Sequence, residues 1–173
     1  MMFVSLGLGT FVALALIVTV SLLTGGATST LFQKQTLDGQ KIPSFSLAGL
    51  HGGTTAMPWA HGSPTVVVFF ASWCVPCIEE LPRVATYVKQ HSLGTVRVIG
   101  IDYNDSRSRG RAFARRAGVT FPVVADPNEQ TQGLFLLGGI PDTIFLNGNG
   151  VVSHTVYGVV SNELLAVGIS ALH

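Results

Sequence analysis

The chain has 173 residues, 47% of them apolar, and ten Lys and Arg against nine Asp and Glu give a net charge of +1. That length and apolar content suffice for one domain with a substantial core and a tail. The near-balanced charge leaves no electrostatic footprint for nucleic acid, and no nucleic-acid partner is expected.

Every Asp, Glu, Lys and Arg lies at or after Lys34. Within the uncharged start, residues 3–23 are relieved only by Ser, Thr and Gly, long enough to cross a bilayer as a helix of about 20 residues. A cleaved signal peptide competes, with Gly25 and Ala27 at cleavage spacing, but the apolar run exceeds the usual ~7–15 residues. Residues 1–24 are therefore expected to be a membrane anchor or signal segment, 25–41 a tether, and 42–173 the folded domain. Lys34 and Lys41 follow the span, which on the positive-inside rule argues against an outward-facing domain. The cysteine chemistry below argues for one.

In the domain, 44–50 predicts a short edge strand, 51–54 a turn and 56–60 a short helical turn. "TVVVFFA", 65–71, is a β-branched and aromatic run expected as a strand buried on both faces. A helix should follow over about 75–91, with Leu81, Val84, Ala85 and Val88 forming one apolar stripe. Pro76 falls in its first turn and Pro82 inside it, where a kink is expected. Further strands are predicted at 96–102 and 121–126, with helices at 106–117, ending at Gly118, and 129–137. Residues 142–147 and 151–158 read as a hairpin around "NGNG", and Ser161 as the cap of a closing helix, 162–172. The order predicts an α/β layered domain with a mainly parallel sheet and an antiparallel edge.

The only two cysteines are Cys74 and Cys77, in "WCVPC". Cys74 is placed where a buried strand meets the next helix, and a helix N-terminus offers free N–H groups and the positive end of the macrodipole. Both stabilise a thiolate. Cys77, one turn on, is placed to close a disulfide, with Cys74 the exposed attacker and Cys77 the resolving thiol. A structural staple would constrain the unfolded chain little over so short a loop. A zinc site would need further ligands, and the five histidines show no paired spacing, so no metal is expected. Cys-x-x-Cys in this setting points to a redox role.

"FFASWCVPCIEELP" resembles the active-site segment of the thioredoxin superfamily, most closely its membrane-tethered extracytoplasmic TlpA/ResA/CcmG (DsbE) group. "IPSFSLAGL" and "GIPDTIFLNGNGVV" resemble that group's N-terminal strand and its cis-proline segment, so the resemblance spans about 42–172. It implies a thioredoxin-like fold, a central mixed sheet flanked by helices. It also implies a cis Ile140–Pro141 bond against the disulfide, where the Ile140 backbone pairs with an extended substrate, and a Trp73 that covers the disulfide. Glu80 is implicated in tuning the cysteine pair and moving protons, the more so because Val68 stands where many thioredoxins carry a buried Asp. The competing expectation for Glu79 and Glu80 is solvated acids near a helix N-terminus.

The implied activity is reduction of partner disulfides by a single-pass membrane protein with an extracytoplasmic catalytic domain. Apocytochrome c or its maturation partners are the implied clients, a transmembrane electron carrier the donor, and no cofactor is needed. The alternatives are a disulfide oxidase or isomerase for secreted proteins, a non-catalytic thioredoxin-fold binding module, and, less favoured, a peroxidase. Arg107, Arg109, Arg111, Arg115 and Arg116 on one predicted helix read as a solvated face, or else as a docking surface for an acidic partner.

Overall fold

A computed structural model describes residues 36–172. The expected membrane span and most of the tether lie outside the described residues. Among the described residues no helix is long and apolar enough to cross a membrane. Residues 37–172 belong to one compact unit. Its packing takes in Leu37, which is buried, and Lys41, which bridges Val151.

The apolar run after Pro64 forms the strand β3, Thr65–Phe70, buried at all six positions. Around it lie β1 (Ser46–Gly49), β2 (Thr54–Ala56), β4 (Arg97–Tyr103), β5 (Val123–Asp126), β6 (Asp142–Leu146) and β7 (Val152–Tyr157). They make one seven-stranded sheet in the order β2-β1-β5-β4-β3-β6-β7. The helices are α1 (Cys77–Gln90), α2 (Arg107–Arg116) and α3 (Asn162–Ser170), and a 3₁₀ turn spans Pro58–His61.

Only β3, β4 and β5 run parallel; the other neighbours pair antiparallel. The sheet is therefore less parallel than strand–helix alternation predicts. Nor is 44–50 an edge: β1 turns back through Gly49 to Thr54 and pairs with β2, which takes the edge position.

Strand alternation sorts β3 between two cores. Val66, Val68 and Phe70 pack with Leu81 and Val84 of α1, Phe113 and Ala114 of α2, and Leu165 and Ile169 of α3. Val67 and Phe69 pack with Leu37, Ile42, Met57, Trp59 and Phe135. All three α-helices of the described residues thus cover one face rather than flanking both. The crossovers β3–α1–β4 and β4–α2–β5 step in the same direction along the sheet, and crossovers of one hand put their helices on one side. Trp59 is core, edge-on to Phe45 and Phe135.

The helix expected at 129–137 is absent. The segment is a series of turns that buries Phe135 and Leu137 against the second face. Its backbone passes through positive φ at Glu129 (56°) and Leu136 (48°), which no right-handed helix contains. The Asp126 carboxylate instead accepts the backbone N–H groups of Gln130 (2.8 Å) and Thr131 (2.9 Å), fixing the turn. The other boundaries agree to within one or two residues. Gly118 follows α2 in the left-handed conformation (φ 71°) that lets a helix stop. Ser161 Oγ accepts the Leu164 N–H at 3.2 Å, capping α3.

Candidate active site

β3 ends at Phe70 and α1 begins at Cys77, so the cysteine segment is the short link between a buried strand and a helix N-terminus. Cys74 and Cys77 form a disulfide. The first amide of α1, the N–H of Cys77, points at Cys74 Sγ over 3.3 Å. This is the helix-end donor that the position predicts, available to a thiolate once the bond is reduced. Cys77 is fully buried and Cys74 is 3% exposed. Both cysteines are thus buried, and Cys74 is not the exposed attacker that the sequence predicts, because the surrounding segments pack over it. Its sulfur is met by both the Cys77 amide and the Ile140 carbonyl, the latter 3.7 Å away. Trp73 and Val75, on either side of it in the chain, stand outward at 52% and 74% exposure.

The Ile140–Pro141 bond is cis, and the contact from Ile140 to Cys74 crosses 66 residues of chain. Ile140 is half-buried and Pro141 buried. Sheet pairing explains the juxtaposition: β6 runs antiparallel to β3, with Asp142 beside Phe69, so the start of β6 meets the end of β3.

Glu80 is not a solvated acid. It is fully buried on α1, one turn beyond Cys77, while Glu79 is exposed. Its Oε1 accepts the Val160 N–H at 2.7 Å, and Oε2 has no protein partner among the described residues. Burial pushes its pKa up to about 7; the Val160 N–H and Arg83 pull it down, and Asp142 adds to the rise. A carboxyl poised near neutrality can give and take protons at working pH. Arg83 donates to the Val160 carbonyl at 3.1 Å, so α1 holds both backbone groups of that residue.

Two further acids escaped sequence reasoning. Asp105, in the β4–α2 turn, accepts the N–H groups of Ser72 (2.8 Å) and Ser106 (2.7 Å) and pairs with Arg109 at 3.1 Å. The neighbouring Asn104 carbonyl accepts the Trp73 indole N–H at 2.8 Å. Two consecutive turn residues therefore hold the two residues before Cys74. Burial alone would raise the Asp105 pKa, but bonds from Ser72, Arg109 and Ser106 outweigh it and hold the carboxyl below its usual range. Asp102 is buried beneath α2 with neither oxygen partnered among the described residues, and burial, reinforced by Asp105, lifts it to about 7. Partners 31 and 33 residues away leave no local sequence signal. Among the described residues no group of three His, Cys, Asp or Glu side chains is placed to hold a metal ion.

Residues 39–155 match the AhpC/TSA family. The chain belongs to the AhpC/TSA family. This family member is 26% identical over 125 residues to the thiol-disulfide oxidoreductase ResA of Geobacillus thermodenitrificans, covering 72% of each chain. Its fold matches a crystal structure from Chlorobium tepidum assigned as thiol:disulfide interchange protein DsbE, with a TM-score of 0.70 and 27% identity over 79% of this chain and 98% of that one. MTB dsbF, solved in mixed oxidized and reduced forms, matches with a TM-score of 0.68 and 27% identity over 80% and 100% of the two chains. The fold is thioredoxin-like.

Proposed function

We propose that this thiol-disulfide oxidoreductase reduces partner disulfides on the outer side of a bacterial cytoplasmic membrane, held there by residues 1–24. The observation that carries the exchange chemistry is the Cys77 amide aimed at Cys74 Sγ, with the Ile140 carbonyl of the cis-proline loop 3.7 Å from the same sulfur.

In the reduced protein that amide stabilises the Cys74 thiolate. The thiolate attacks one sulfur of a client disulfide, forming a mixed disulfide and expelling the client's other sulfur as a thiolate. Cys77 gives its proton to the Glu80 carboxylate and attacks Cys74 Sγ. The client's remaining thiolate leaves and takes that proton. Two electrons have passed to the client, and the protein is left with the Cys74–Cys77 disulfide seen here. The Ile140 backbone pairs with the extended client during attack, as in strand addition. Electrons return from a membrane carrier by the same exchange in reverse. The resemblance of residues 42–172 to the TlpA/ResA/CcmG group supports apocytochrome c, or its maturation partners, as the client.

Cys74→Ser should abolish reduction of insulin disulfides, and Cys77→Ser should accumulate a mixed disulfide with the client in cells. Retained insulin reduction in Cys74→Ser rejects the mechanism. The reduction potential checks direction: a value near thioredoxin's, about −270 mV, fits a reductant, and one near about −120 mV makes the protein an oxidase instead.

A further inference from the structure

Beside the disulfide, a groove of about 270 Å³ opens between α1 and α2, lined by Ser72, Ile78, Pro82, Phe113, Arg116 and Ala117. Its floor is apolar, since Phe113 and Ala117 are buried. It is continuous with the cysteine segment at two points: Ser72 lies two residues before Cys74, and Ile78, 55% exposed, directly follows Cys77. The volume suits one large side chain rather than a whole small-molecule ligand. Arg116 is the charged residue of the lining. Among the described residues the one α2 arginine that pairs with a carboxylate is Arg109.

An apolar slot that carries a cation without a carboxylate partner and is lined by residues flanking the cysteine pair, Ser72 and Ile78, is placed to read the chain beside a client cysteine. We infer that this groove is a specificity subsite, taking an apolar side chain near the client's cysteine with an acidic residue beside it, and that Arg116 selects the acidic neighbour. The inference deepens the function proposed above and rests on it for the identity of the occupant. Attraction to Arg116 adds little to affinity at an exposed site, but replacing an acidic neighbour by a basic one turns attraction into repulsion, so discrimination is the larger effect.

The test separates binding from chemistry. Octapeptides with serine in place of the client cysteine, leucine two residues away, and Glu or Lys next to the leucine are titrated into the oxidised full-length chain, followed by tryptophan fluorescence. Wild type should prefer the Glu peptide by roughly three- to tenfold at low ionic strength, with the preference shrinking at high salt. Arg116→Glu should reverse it. Arg115→Glu makes the same charge change at the next residue, outside the groove, and should keep the wild-type preference.

Equal binding of both peptides by wild type overturns the inference, as does an Arg115→Glu effect equal to that of Arg116→Glu. Self-association that Arg116→Glu abolishes, without peptide discrimination, assigns the groove to a second copy and also overturns it. Because these peptides cannot undergo exchange, a chain that discriminates between them but reduces no disulfide sinks the oxidoreductase reading and leaves the groove standing. Reduction without discrimination does the reverse.

Discussion

Replacing Glu80 by Gln tests the buried acid most directly. The side chain keeps its size, and its oxygen can still accept the Val160 N–H; what it loses is the proton equilibrium. A carboxyl raised from its ordinary 4.5 to about 7 in the fold binds more protons folded than unfolded between those values. Its contribution is therefore fully present below about pH 4.5 and is lost as pH rises through 7. At about 1.4 kcal/mol per pKa unit, ionising Glu80 inside the fold costs roughly 3 kcal/mol by pH 8. Urea unfolding of the oxidised chain at pH 4 and pH 8 should show the stability difference, Glu80→Gln minus wild type, growing by about that amount. With an m-value near 2 kcal/mol/M, the relative midpoints should move by about 1.5 M. The unpartnered amide hydrogens of Gln shift both measurements alike, and Asp102 titrates in both chains, so neither alters the change with pH. A difference that moves by less than about 1 kcal/mol between the two pH values would refute the reasoning.

Asp105→Ala should destabilise the protein by about 2 kcal/mol, because the Ser72 and Ser106 amides lose their acceptor, and Asp105→Asn should recover part of this; urea unfolding measures both. Since the Asp105 carboxyl is held below its usual range, the stability it confers should be present above about pH 4 and disappear as pH falls below that, a slope missing from the Ala variant. Gly110→Ala would drive a methyl carbon into the Asp102 carboxylate and should destabilise by about 3 kcal/mol or more; Asp102→Ala in the same chain should restore most of it, and additive losses in the double-mutant cycle would contradict the close approach. Ser161→Ala removes the acceptor for the Leu164 N–H and should cost about 1 kcal/mol in thermal or urea unfolding.

Whatever depends on local order was readable along the chain. Residues 65–71 declared a buried strand because the run is β-branched and aromatic up to Ala71, and Cys74 and Cys77 declared their chemistry because the strand and the apolar stripe after them put both at a helix start. The cis bond at Ile140–Pro141 and the weight given to Glu80 came through resemblance, since neither residue has a local signature that separates it from a turn proline or a solvated acid. The tertiary structure alone decided that Glu80 is buried, because the Val160 amide that receives it lies 80 residues away. It alone brought Asn104 and Asp105 to Ser72 and Trp73, put all three α-helices on one face, and turned 129–137 away from helix when the Asp126 carboxylate captured its first amides. Periodicity and capping act over a few residues and are written in neighbours. Burial and long-range hydrogen bonds depend on which distant segments the sheet pairs, and those partners exist only once the strands have found their order.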